Sequence, residues 1–125
     1  MNVSPAIENY LETILIISNK QKEIHAADIC AYLNYSRPTV SVVLKQMRES
    51  GLVSVDGDNH ITLTQEGLDI AETIYERHNI IARMLMALGV DESTAYEDAC
   101  RLEHQISDKS FACLKAHFEA HIGGK

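Results

Sequence analysis

A helical pattern that ends at Gly51 and gives way at once to two short β-branched runs constrains this chain more than any other feature. Ser36-Arg37-Pro38-Thr39 reads as a helix start, with Ser36 as N-cap and Pro38 in the first turn, where it is tolerated. Val40, Val43, Leu44 and Met47 follow as the buried stripe, and Gly51 stands where a C-terminal stop belongs. Leu52-Val53-Ser54-Val55 and Ile61-Thr62-Leu63 then alternate, with Asp56-Gly57-Asp58-Asn59-His60 between them as turn chemistry, so a β-hairpin is expected. Upstream, Ala26 to Leu33 is a short segment with Ile29, Cys30 and Leu33 on its apolar side, interrupted at Asn34-Tyr35. Two short helices joined by a tight turn, the second opening with small polar and basic residues, form a helix-turn-helix, and the hairpin behind them is a wing.

In such a module the first turn of the second helix is the part that enters a DNA major groove. Ser36, Arg37, Pro38, Thr39 and Ser41 are therefore the candidate DNA-contacting residues. Arg37 can reach phosphate or a guanine edge, Pro38 and Thr39 thymine methyls, and Ser41 a phosphate or base. Capping by Ser36 and helix initiation by Pro38 account for part of the same pattern without any ligand. His60, at the hairpin tip, is expected to face solvent.

The net charge of −7 opposes this reading when taken alone, since neutralising phosphates uses Lys and Arg. Distribution decides against the total. Arg37, Lys45 and Arg48 lie in a stretch without acidic residues, whereas acidic residues crowd the region from Glu66 to Glu103, where a bound cation would offset part of the charge. The 125 residues suit one ordinary domain or two small ones sharing a core. No apolar run approaches the roughly 20 residues that span a bilayer, and the N-terminus lacks the character of a signal peptide, so a cytoplasmic protein with no membrane partner is expected. Cys30, Cys100 and Cys113 are odd in number and widely spaced, which excludes a disulfide framework and leaves reduced thiols.

Ser4-Pro5 opens a first helix in which Ile7, Tyr10, Leu11, Ile14 and Leu15 recur at helical spacing, while Glu8, Asn9 and Glu12 occupy its other face, which by default reads as solvated. Thr64 caps a long helix from Gln65 to about Leu88, ended by Gly89. Its stripe of Leu68, Ala71, Ile74, Tyr75, Ile81, Met84, Leu85 and Leu88 is broader than a winged helix needs to cover, which suggests a partner subunit. Asp91 or Ser93 opens a fifth helix running through Gln105. Ser107-Asp108 caps a sixth, with Phe111, Leu114, Lys115 and Phe118 on one face, and the tail from His121 to Lys125 is expected to fray. The expected fold is mainly α: an N-terminal winged helix-turn-helix with a two-stranded β wing over residues 1–64, followed by an all-α dimerisation domain over residues 65–125.

The fifth helix carries Cys100-Arg101-Leu102-Glu103-His104, in which thiolate, carboxylate and imidazole share one face at i, i+3 and i+4. These groups suit a first-row divalent ion. A plain alternative is a packed Cys100, a solvated Glu103 and a surface His104. His117 and His121 also stand at i, i+4, but Phe118 occupies the place where the zinc-protease motif requires Glu, so only adventitious metal binding follows from them.

The order of these parts resembles the diphtheria-toxin-repressor family of metal-dependent transcriptional regulators, with its iron-responsive and manganese-responsive branches. The resemblance is carried by Glu8-Asn9-Tyr10-Leu11-Glu12, Ser36-Arg37-Pro38-Thr39-Val40-Ser41, Gly51-Leu52-Val53, Leu63-Thr64-Gln65-Glu66-Gly67, Arg77-His78, Leu88-Gly89-Val90-Asp91 and Ala99-Cys100-Arg101-Leu102-Glu103-His104. It implies a regulatory ion held by Glu12, His78, Cys100, Glu103 and His104, with Asn9 at the remaining ligand position. Asn9 departs from the Asp of the manganese branch, and Cys100 resembles the iron branch where the manganese branch has Glu. On this hybrid set Fe(II) is expected ahead of Mn(II), with Zn(II) a further candidate. Two ligands of the iron branch's ancillary site map to Ala82 and Tyr96, so no second site of that kind is expected, nor is a counterpart of the SH3-like domain of many iron-branch members. The implied protein is a homodimer on double-stranded operator DNA that represses uptake of the metal it senses. Two other readings stand beside it: a dimeric regulator with another effector and a vestigial metal site, and a metal-dependent enzyme with an open coordination position. The enzyme reading leaves the winged helix unexplained and lacks a Gly-rich loop or a further acid/base pair, so no enzyme is expected.

Overall fold

Among residues 3–121, which the computed structural model describes, six helices and a two-stranded antiparallel sheet follow one another in the expected order. His121 closes the last helix, and the rest of the tail expected to fray lies outside the described residues. The chain divides into two units, one up to Thr73 and one from Ile74.

In the first unit, α1 (Pro5–Ser18) starts where Ser4 accepts the Ile7 N–H at 3.2 Å. α2 (Ala26–Leu33) begins with the His25 N–H bonded to the Asp28 carboxylate at 2.8 Å and ends at Asn34, whose φ of 60° puts it in the left-handed region that stops a helix. The hydroxyl of Ser36 caps α3 (Arg37–Glu49) by accepting the Thr39 N–H. Gly51, at φ +76°, turns the chain out of α3 and lets the Leu52 N–H reach the Met47 carbonyl at 2.9 Å. β1 (Val53–Val55) and β2 (Ile61–Leu63) then pair with Val53 opposite Leu63 and Val55 opposite Ile61. The loop before α2 adds to this wing, for the Ile61 N–H bonds to the Ile24 carbonyl at 2.8 Å. Leu11, Ile14, Ile29, Val40, Met47 and Leu52, all essentially inaccessible, form the core beneath α1, α2, α3 and the wing.

α4 (Gln65–Ala87) opens in the first unit and ends in the second. The Thr64 hydroxyl accepts the Gly67 N–H and donates to the Gly51 carbonyl, tying the start of α4 to the exit of α3. Gly67 is needed there because a Cβ would stand 2.1 Å from the Leu52 carbonyl oxygen.

The second unit holds the rest of α4, α5 (Glu92–Leu102) and α6 (Asp108–His121), packed around Ile80, Ile81, Ala82, Ala95, Ala99, Phe111 and Phe118. Gly89, at φ +103°, breaks α4, and Asp91 caps α5 by accepting the Thr94 N–H at 3.0 Å. α5 stops at Leu102 rather than at Gln105. The Glu103 N–H still reaches the Ala99 carbonyl, but the carbonyls of Glu103 and Ile106 turn to the Arg77 guanidinium at 3.1 and 2.7 Å instead of continuing a helical ladder. His104 consequently sits in the turn beyond the helix, not on the helical face that Cys100 and Glu103 share.

Candidate metal centre and nucleic-acid interface

In the second unit α4 and α5 bring His78, Cys100 and Glu103 together, with one ligand atom of each within 4.8 Å of the others. Glu103 is fully buried. One of its carboxylate oxygens lies 3.2 Å from Nδ1 of His78 and the other 3.4 Å from Nε2 of His104, so two imidazoles address one carboxylate. This excludes the plain reading of Glu103 as a solvated charge. Cys100 is exposed rather than packed, which also separates it from a core cysteine. Burying a carboxylate costs on the order of several kcal/mol, and is tolerated only with close compensation such as these imidazoles supply. The Cys100 thiol, the Glu103 carboxylate and the His78 imidazole form a donor set that fits a first-row divalent ion, and His104 adjoins it through the other carboxylate oxygen.

Ala82 is buried and Tyr96 lays its ring 5.3 Å from that of His78. The two positions that would complete an ancillary site thus offer a methyl group and an aromatic face. Asn9 and Glu12 belong to the first unit, one turn apart on α1. Glu12 is 3% exposed, and Asn9 is half-buried with its carbonyl accepting from the Thr13 hydroxyl. The burial of Glu12 corrects its reading as part of a solvated face.

Also in the first unit, a groove runs between α3 and the wing, with Arg37, Ser41, Lys45 and Arg48 on one side, Asp58 and Asn59 at the wing turn, and His25 at its end. Its cationic side suits a phosphate backbone. Ser36, Arg37, Pro38, Thr39 and Ser41 are all exposed along the first turns of α3, and the Ser36 hydroxyl also lies 2.9 Å from that of Thr39, so those two side chains define the helix start as well. Val42 was not among the expected contacts, yet it is 59% exposed. The signal was present in its position off the buried stripe of Val40, Leu44 and Met47.

Asp56, Asp58 and His60 form a second cluster of groups able to hold a cation, at the wing. Turn chemistry explains it, because Asp56 accepts the backbone N–H groups of both Asp58 and His60. The bond from the His60 N–H holds the Asp56 carboxyl below the usual carboxylate range, aided by the Asp58 N–H and the charge of a protonated His60. His60 is less exposed than a tip residue should be: its ring meets the edge of His25 at 4.7 Å and its nitrogens face Asp56 and Glu23.

On the second unit Ile81, Met84, Leu85, Leu88, Leu102, Ile106 and Leu114 line an apolar groove. Leu88 is 77%, Leu102 46% and Leu114 39% exposed there, a clustering that marks an interaction surface.

Comparison with known proteins agrees with these observations. Residues 2–61 match the family model of the iron-dependent repressor N-terminal DNA-binding domain, and residues 64–120 that of the iron-dependent repressor metal binding and dimerisation domain. An uncharacterised helix-turn-helix-type transcriptional regulator of Methanocaldococcus jannaschii is 36% identical over 119 residues, covering 94% of this chain and 95% of its own. The transcriptional regulator MntR of Escherichia coli is 31% identical over 115 residues, 92% of this chain and 74% of its own. The solved structure of the manganese regulator SloR superposes with a TM-score of 0.80 at 28% identity, covering 95% of this chain. This chain spans 55% of that longer one.

Proposed function

Because this chain belongs to the iron-dependent repressor family of metal-dependent transcriptional regulators, we propose that it binds operator DNA as a homodimer when a divalent ion occupies the centre at Glu103. The observation that carries this reading is the buried Glu103 carboxylate, set among His78, Cys100 and His104 where a solvated surface charge would otherwise be expected. We assign residues 1–64 to DNA binding and residues 65–125 to metal binding and dimerisation.

In this proposal His78, Cys100, Glu103 and His104 hold the ion, and Glu12 and Asn9 supply further ligands from α1. Bound there, the ion supplies positive charge and a fixed coordination geometry. An ion that takes both the Glu12 and the Glu103 carboxylate as ligands would neutralise both charges. α1 is part of the DNA-binding half, so a ligand on α1 couples the charge balance of the centre to the arrangement of the recognition helices. A preference of a few kcal/mol for the binding-competent arrangement, roughly the size of typical allosteric couplings, is enough to act as a switch.

Arg37 reaches a phosphate or a guanine edge, Lys45 and Arg48 reach phosphates, Pro38 and Thr39 meet thymine methyls, and Ser41 reaches a phosphate or base. The apolar groove around Leu88, Leu102 and Leu114 is covered by a second copy of the chain, which sets two recognition helices about one helical turn of DNA, roughly 34–36 Å, or a multiple of it, apart. The repressed genes encode uptake of the sensed metal, and the protein acts in the cytoplasm. Fe(II) is the proposed ion, with Mn(II) next and Zn(II) also accepted.

Operator binding by the purified protein in excess chelator and in saturating Mn²⁺ or anaerobic Fe²⁺ tests the proposal. Binding is expected only with metal. Equal affinity in both conditions would overturn it in favour of a regulator with another effector.

A further inference from the structure

The geometry points to Arg77 as a positioning residue of the metal centre, one that fixes where Glu103 stands without itself offering a ligand atom. This rests on the reading of Glu103 and His78 as ligands. Arg77 directly precedes His78 on α4, and its guanidinium is buried. From there it reaches across to the end of α5, donating through Nη1 to the carbonyl of Glu103 at 3.1 Å and to that of Ile106 at 2.7 Å. Nη2 meets the carboxylate of Asp108 at the start of α6, and the guanidinium lies 5.3 Å over the Phe111 ring.

One side chain thus grips three consecutive pieces of chain: Glu103 at the C-cap of α5, the turn that carries His104, and the first residue of α6. The carbonyls at a helix C-terminus have no partner within the helix, and here Arg77 provides one. The consequence for the centre follows from connectivity. The backbone of Glu103 is fixed to the side chain of residue 77, and the imidazole facing the Glu103 carboxylate belongs to residue 78, so the spacing of the two groups is set through a single short stretch of α4. Partners that orient ligands from outside the coordination shell typically change metal affinity about 10- to 100-fold when removed. Lysine is a poor replacement, because an ammonium has no planar fork to hold two carbonyls and a carboxylate at once.

The test compares the wild type, Arg77→Lys and Glu103→Gln, each shown by circular dichroism and gel filtration to keep its fold and dimer. Each is titrated with Co²⁺ alone, read by its visible absorption and its thiolate charge-transfer band. Arg77→Lys is expected to bind Co²⁺ about 10- to 100-fold more weakly and with an altered spectrum, in the range found for outer-shell partners. A wild-type affinity and spectrum in Arg77→Lys, beside weakened binding in Glu103→Gln, would overturn the role of Arg77 and leave the metal centre standing. Wild-type binding by Glu103→Gln would remove the centre itself, and this proposal with it. If Arg77→Lys does not fold, Arg77→Gln, which keeps one amide donor for a carbonyl, is read in its place against the same expectation. Loss of fold in both makes Arg77 a folding residue and overturns the proposal.

Discussion

Nδ1 of His78 stands 3.2 Å from a carboxylate oxygen of Glu103, although the two residues come from different helices and Glu103 has no accessible surface. The imidazole faces the carboxylate directly, and a bound cation would lie between the same two groups. A carboxylate cannot be left alone at such a depth.

That asymmetry yields the first prediction. Removing one partner of a buried pair usually costs about 3–5 kcal/mol because a charge is stranded. Glu103→Gln strands none, since His78 and His104 can both be neutral, so the metal-free protein should unfold in urea at a midpoint equal to or above that of wild type. His78→Ala takes a partner from a buried carboxylate and should lower the midpoint clearly. Both variants should bind metal more weakly. A Glu103→Gln protein less stable than His78→Ala would show that the pair is not balanced as described.

At the DNA face, Arg37 is exposed on the first turn of α3 and lines the groove toward the wing. Arg37→Ala should weaken operator binding, leave metal affinity unchanged and, if the contact is to phosphate, reduce the salt slope by about 1. A footprint and affinity identical to wild type at matched salt would refute the contact.

The sequence made the helix ends of this chain legible because they are local. Ser4 and Ser36 cap the helices they were expected to cap, Asp91 caps α5 where Asp91 or Ser93 was expected to open it, and Gly51 and Gly89 take the positive φ that ends α3 and α4. The true end of α5 was hidden, for it depends on Arg77, which is 26 residues away from the Glu103 carbonyl it binds. The same distance hid the significance of Arg77, which in sequence is only the neighbour of a conspicuous histidine. The burial of Glu12 was invisible for a similar reason: periodicity placed it opposite the apolar stripe, and only tertiary packing buries that side as well. His60 was misjudged because a turn was expected to be solvated all round, whereas His25 and Glu23 from the loop before α2 cover it.

Gly67 gives a prediction in which propensity and packing oppose each other. Alanine should favour the helix by about 1 kcal/mol over glycine. Its Cβ, however, would fall 2.1 Å from the Leu52 carbonyl oxygen, an atom of the backbone that also accepts the Thr64 N–H and has no room to move away. Overpacking of this kind costs about 1–3 kcal/mol, and a contact with backbone belongs at the upper end. Gly67→Ala should therefore lower the urea midpoint. An unchanged or raised midpoint would mean that α4 shifts freely against the wing.

The cap of α5 gives a pH dependence. The Thr94 N–H bonds to the Asp91 carboxylate and holds its pKa below the usual carboxylate value. A folded-state pKa below the unfolded one means stability that is present above the unfolded value, about 3.9, and lost as pH falls through the folded value. Asparagine caps a helix about as well but carries no charge. The stability of wild type relative to Asp91→Asn should therefore be highest near neutrality and shrink as pH is lowered below about 4, the carboxylate range. A difference between the two proteins that stays constant from neutral pH to pH of about 3 would contradict the charge-assisted cap.

Metal choice follows from the donor set. Mn²⁺ is the weakest binder of the divalent first-row series and prefers oxygen donors. The centre presents a thiol at Cys100 within 4.8 Å of its His78 and Glu103 partners, and the resemblance places neutral Asn9 where the manganese branch has a carboxylate. Both features should disfavour Mn²⁺ relative to Fe²⁺ or Zn²⁺. The proposed ligands Glu12, Glu103, His78 and His104 are nevertheless hard or borderline donors that Mn²⁺ accepts, so the preference should be graded rather than absolute. Operator binding by wild type is accordingly expected at lower free Fe²⁺ than free Mn²⁺ under anaerobic conditions, and Cys100→Glu combined with Asn9→Asp should move activation toward Mn²⁺. The measurement is DNA binding titrated against each buffered metal for both proteins. If wild type is activated at lower free Mn²⁺ than Fe²⁺, the positions in which Glu103 and the imidazoles are held outweigh the softness of Cys100, and the assignment to iron fails.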